Sequence, residues 1–141
     1  FLTRRMELAQ AVFVVACQLL GAALAGLFVV RSFGEDSGCG ACALNGVGFR
    51  MGTLIEAMAT FWVTFAYFAA RANRAAAVGA AAIAASLASA TLTGGAFNPA
   101  RAFGPAIASG QWSQWYVYWA GPLVGAAAAA LLHDFLFQEE K

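Results

Sequence analysis

The chain has 141 residues, of which 62% are hydrophobic and 11% charged, with a formal net charge of +1. Its apolar residues fall in long blocks that the few charges mark off, the pattern of an integral membrane protein embedded in a lipid bilayer. So thin a positive charge, with no basic run, excludes the electrostatic footprint of a nucleic-acid binder.

Residues 8–30 are apolar apart from Gln10 and Gln18, and are bounded by Arg4, Arg5 and Glu7 before and Arg31 after. About 20 helical residues cross about 30 Å of hydrocarbon, so this block is the first predicted span, and it is too long for a signal peptide. The chain opens at Phe1 rather than Met, which leads us to expect a fragment or a processed product. Cys17, inside the span, reads as a small apolar packing residue. The connection that follows, GEDSGCGACALNGVG (34–48), is glycine-rich and predicted to be irregular. Its Cys39 and Cys42 are too few for a tetrahedral zinc site and lack a thioredoxin-like context, which leaves a local disulfide or two free thiols.

A second span is predicted over 52–70 and ends at Arg71, Asn73 and Arg74. It contains Glu56, and a carboxylate inside a span must be paired or hydrogen-bonded. The third, 75–92, is rich in alanine and serine, which suits close approach to neighbouring helices. The fourth, 115–137, opens on WYVYW, an aromatic cluster of the interfacial kind. His133 and Asp134 near its far end are read as an interfacial pair in preference to a proton relay or gate. Lysines and arginines in the short connections place both chain ends in the cytoplasm, because Arg4, Arg5, Arg71, Arg74 and Lys141 share one side against Arg31 and Arg50 on the other.

Between the third and fourth spans lies TGGAFNPARAFGPAIAS (93–109). Residues 99–109 would make a helix of roughly 16 Å, half a bilayer. Asn98 is a good N-cap and Pro99 suits the first helical position, so this half-helix is predicted to begin at NPA. Gly94 and Gly95 permit the turns of a loop that dips into the membrane over 94–97, exposing the carbonyls of Gly94, Gly95, Ala96 and Phe97 along a cavity. Pro105 cannot donate to the carbonyl of Arg101, leaving a further acceptor. Arg101 sits in the first turn, where the helix dipole is already positive and gives a cation nothing. It is either an arginine snorkelling to the interface or a guanidinium lining a narrow pore, binding passing neutral molecules while repelling cations and hydronium. Water would trade hydrogen bonds with Asn98 and the carbonyls, and a proton wire would be broken there.

NPAR, preceded by TGGAF and followed by AFGPA, resembles the second pore motif of the aquaporin (major intrinsic protein) family. ACQLLGA (16–22), EAMATF (56–61) and YWAGPLVGA (118–126) resemble that family's third, fourth and sixth helices in the same order. The resemblance implies a partial aquaporin-like, all-α fold over 1–141, with four transmembrane helices, a re-entrant loop and half-helix at 94–109, and the first NPA half missing. It implies a selectivity role for Arg101, a donor role for Asn98, and a buried Glu56 that holds the pore loop. Gln18 either braces that loop as well or joins helix to helix. A count back from Asn98 puts the fifth-helix filter position at Ser86, with Gly95 as the small filter residue of the loop. Ala102, Ala106, Tyr118 and Trp119 stand where glycerol channels carry Asp, a basic residue, Pro and an aliphatic residue; these are water-channel choices. The implied function is passive passage of water, with small neutral solutes admitted by the small Ser86 and Gly95, through a complete homotetrameric protein. The alternatives are a broader glycerol and urea facilitator or a truncated, non-conducting membrane protein. Seven arginines against one lysine hint at a GC-rich genome, hence a bacterial inner (plasma) membrane. No catalytic constellation, cofactor or metal site is expected.

Overall fold

The computed structural model describes residues 6–34, 38 and 40–137. These form five helices: α1 (Leu8–Phe33), α2 (Phe49–Ala69), α3 (Arg74–Thr93), α4 (Pro99–Ser109) and α5 (Val117–Leu136). All but α4 are long and apolar enough to cross a membrane. At 1.5 Å per residue, the 20 residues of α3 or α5 extend roughly 30 Å and the 11 of α4 only roughly 16 Å.

The ends of the helices have local causes. α1 continues past Arg31, whose long side chain can keep its charge at the interface, and stops at Gly34 (φ 82°), where the backbone N–H still bonds to the Val30 carbonyl at 2.8 Å. α2 starts at Phe49, ahead of the hydropathic boundary at 52, because the Gly48 carbonyl already accepts from Gly52 N at 2.9 Å. The tight turn into α3 passes through Asn73 at φ 52°, a left-handed conformation that asparagine tolerates. α5 begins at Val117 rather than 115 because residues 113–116 form turns.

Helix packing runs in one line: α3 on α2, α2 on α5, α5 on α4, and α4 on α1. Small residues set the closest approaches. Gly121 and Gly125, four apart on α5, lie against Thr53, Glu56 and Ala57 of α2, and a Cβ on Gly125 would overlap the Ala57 carbonyl. This small-xxx-small spacing lets two backbones touch, the way helices associate where no water drives them together. α1 and α4 cross in the same manner, through Ala22 and Gly26 on one side and Gly104 on the other.

The outer surface is apolar. Phe13, Leu24 and Phe28 of α1 are 68–70% exposed, which only lipid or another protein surface can match. α2 and α3 bound an open apolar groove of about 710 Å³ lined by residues that include Met58, Trp62, Ala84 and Ala88. With four such helices, this is an integral multi-pass membrane protein.

The α2–α5 contact predicts a sharp contrast between two glycines. Gly125→Ala drives a methyl into the Ala57 carbonyl and is expected to cost about 1–3 kcal/mol. Gly79→Ala, with nothing within 4 Å of the added carbon, leaves stability unchanged or slightly raised. Thermal unfolding of the two variants in detergent checks this.

Candidate functional site

The site is built where α3 ends, a five-residue segment descends, and α4 begins. Gly94 caps α3 at φ 82° and Gly95 follows at φ 60°, two successive left-handed residues that only glycine adopts without strain. Phe97 is also left-handed, at φ 32°, in a residue with a bulky side chain. Such a conformation costs of order 1–3 kcal/mol and persists only where surrounding contacts dictate it.

Glu56 supplies those contacts. It is fully buried in the middle of α2. One carboxylate oxygen accepts from Thr93 Oγ1 at 2.6 Å and Ala96 N at 3.1 Å, and the other from Phe97 N at 2.5 Å. Both oxygens act purely as acceptors, the role of an ionised carboxylate. Holding two successive N–H groups on one side turns the segment so that Gly95, Ala96 and Phe97 leave their carbonyls without a hydrogen-bond donor among the described residues. The end of α3 is secured separately: Tyr118 Oη donates to the Thr93 carbonyl (3.0 Å), and Asn45 donates through N to Leu92 O (2.9 Å) and through Nδ2 to Thr91 O (3.2 Å).

Asn98 has extended backbone, and its Oδ1 accepts from Ala100 N at 3.0 Å, capping α4 with Pro99 in the first turn. This use of the side-chain oxygen leaves the Nδ2 donor of an exposed residue without a partner among the described residues. Arg101, in the first turn of α4, is also exposed and borders a shallow groove of about 240 Å³ between α1 and α4. Its Nη1 donates to Gly40 O at 2.6 Å and approaches Cys42 Sγ at 3.0 Å, both on the α1–α2 connection. No carboxylate among the described residues pairs with it, so among these residues its charge is oriented by neutral acceptors.

The residues expected at the site are not all brought together. Glu56, Gly94, Gly95, Ala96, Phe97, Asn98, Pro99 and Arg101 form one continuous unit. Ser86 is half-buried on α3 and hydrogen-bonds to neither Arg101 nor the descending segment. The serine beside that segment is Ser89, one turn further on, whose Oγ would lie 3.3 Å from a Cβ on Gly95. Gln18 is exposed on α1 and is hydrogen-bonded to no described residue; α1 meets α4 through Ala22 and Gly26 instead. His133 is ringed by Phe65, Phe68 and Phe137, with Nδ1 3.8 Å from Asp134. It lies 15 residues along α5 from Tyr118, a rise of roughly 22 Å. Cys39 and the charges Arg4, Arg5, Glu35, Asp36 and Lys141 lie outside the described residues, while Cys42 is a free thiol. No group of three or more His, Cys, Asp or Glu residues among those described could hold a metal.

Sequence reasoning missed Thr93, Asn45, Gly40 and Cys42 as partners, and the hydroxyl of Tyr118. Thr93 and Tyr118 carried a signal, since polar atoms in apolar helices must find partners; the contacts of the α1–α2 connection span up to 61 positions and carried none.

Four helices long enough to cross a membrane, with a half-helix that follows a loop whose carbonyls meet no described donor and an arginine in its first turn, define a multi-pass membrane protein of the re-entrant-loop class. The chain belongs to the major intrinsic protein family, whose model matches residues 1–133. It is similar to aquaporin TIP4-4 of Zea mays, at 40% identity over 98% of this chain and 58% of the relative. Aquaporin-4 of Bos taurus is 34% identical over 96% of the chain and 45% of the relative. The chain thus spans about half the length of the relatives it matches.

The Glu56 cluster yields a stability prediction. Glu56→Ala strands the N–H groups of Ala96 and Phe97 in an apolar interior, at about 1–3 kcal/mol each, and releases Phe97 from its left-handed conformation. A melting temperature in detergent lowered by several degrees is expected, and an unchanged one would remove Glu56 from this role.

Proposed function

We propose that this chain forms one half of a passive transmembrane channel for water, acting within a complete, homotetrameric protein in a plasma membrane, with both ends of the chain cytoplasmic. The observation that carries the reading is the combination at 95–101: three carbonyls that no described donor satisfies and the Asn98 amide as exchangeable hydrogen-bond partners, next to a guanidinium that no described carboxylate pairs. Water in single file can replace its lost neighbours with the carbonyls and Asn98, so entry costs little. A cation meets two positive features, the Arg101 charge and the N-terminal end of α4. A proton hopping along the file meets the same barrier, and the oriented donor of Asn98 interrupts its wire.

The names of the relatives, both aquaporins, support water as the permeant. A broader range including urea or glycerol would follow from small residues at the expected filter positions, Ser86 and Gly95. No enzymatic role is proposed.

The test is osmotic shrinkage of proteoliposomes holding the complete protein, with a pH-sensitive dye inside. Fast water efflux without acidification or alkalinisation is expected from the wild type. Arg101→Val is expected to keep water flux within about tenfold while admitting protons or raising urea flux, because it removes the charge that rejects cations. A variant with unaltered selectivity would refute the role assigned to Arg101.

A further inference from the structure

The α1–α2 connection touches the guanidinium with two unlike acceptors, one of which is a cysteine sulfur. We propose that Cys42 is a specificity-determining residue, whose sulfur acts with the Gly40 carbonyl to pin Arg101 across the channel throat. This rests on the channel reading above.

Three observations support it. The first is placement: Arg101 Nη1 lies 2.6 Å from Gly40 O and 3.0 Å from Cys42 Sγ, so one nitrogen is fixed by two points of a single loop. A guanidinium on a flexible stem needs such anchors to hold one orientation.

The second is that Cys42 is itself anchored. It fills the space that a side chain at Gly94 would need, since a Cβ there would lie 3.1 Å from Cys42 Cα and 3.3 Å from Cys42 Cβ. Its Sγ faces the Gly94 carbonyl at 4.0 Å, and Asn45 ties the same loop to the last carbonyls of α3. The cysteine thus bridges the pore loop and the arginine, and a displacement of either is felt by the other.

The third is charge. A carboxylate in this place would orient Arg101 equally well and cancel the field that rejects cations. A neutral thiol orients it and leaves the field intact. Burial, outweighing the opposing pull of Arg101, pushes the Cys42 thiol above its ordinary range, which keeps it uncharged around neutral pH.

The experiment compares Cys42→Ser and Cys42→Ala in the complete protein reconstituted into liposomes, reading the urea-to-water permeability ratio, which does not depend on how much protein inserts. Serine and alanine differ here by one hydroxyl, so the pair isolates the polar contact. Serine is expected to hold the ratio within about twofold of wild type, and alanine to raise it about threefold or more. A conducting wild type with an unmoved alanine variant overturns this inference alone, as does a serine variant that shifts with alanine. A wild type that passes no water overturns the channel reading and the inference together. A second measurement needs no variant at Cys42: nitrogen NMR of arginine-labelled wild type in lipid, with the Arg101 signal identified by its loss in Arg101→Val. Two separate Nη signals show a held guanidinium and support the proposal; a single averaged signal overturns it.

Discussion

A carboxylate buried among helices holds the backbone of this protein in a shape it would not otherwise keep. Glu56 is fully removed from solvent, a position that costs several kcal/mol for a charged group unless hydrogen bonds replace its hydration. Thr93, Ala96 and Phe97 replace it. The exchange works in both directions: the donors stabilise the carboxylate, and the carboxylate holds Phe97 in a left-handed conformation. α4 inherits its starting direction from that turn, and Arg101 its position from α4.

The surrounding structure protects this arrangement with close contacts between backbones. The Gly121 and Gly125 pair brings α5 against α2 beside Glu56 itself, since a Cβ on Gly121 would lie 2.8 Å from Glu56 Cβ. The Tyr118 hydroxyl reaches the Thr93 carbonyl from the same helix. One helix pair therefore serves both as scaffold and as the seat of the polar cluster, with little freedom for either to shift. The arginine is fixed from the other side, by the α1–α2 connection, which also closes the end of α3 through Asn45. Positive charge and unsatisfied carbonyls on one stretch thus meet a half-buried thiol from another.

How much of this is legible in the sequence depends on the range of the interaction. The spans are local, a matter of about 20 apolar residues, and α4 announces itself by Asn98 and Pro99 followed by too few residues to cross. Glu56 is legible as a residue in need of partners, though not which partners. Ser86 is named by a fixed offset from Asn98 and lies half-buried on α3, while the contact of Ser89 with the turn at Gly95 is one that no count along the chain gives. Gln18 shows a further limit, because a polar side chain in a span declares a need and no direction, and here it faces outward. The Gly40 and Cys42 contacts to Arg101 join residues about 60 positions apart across an irregular connection, where no periodicity exists to read.

The central claim is that the segment from Gly95 to Arg101 lines a water path, with its carbonyls and guanidinium facing the same file of molecules. The most direct measurement is an experimental structure of the complete protein in lipid, at a resolution that shows ordered water. The account predicts waters within hydrogen-bond distance of the carbonyls of Gly95, Ala96 and Phe97 and of Asn98 Nδ2, in a column that passes the Arg101 head group. Acyl chains against those carbonyls, or α4 lying flat at the surface with Arg101 turned toward lipid, would contradict it.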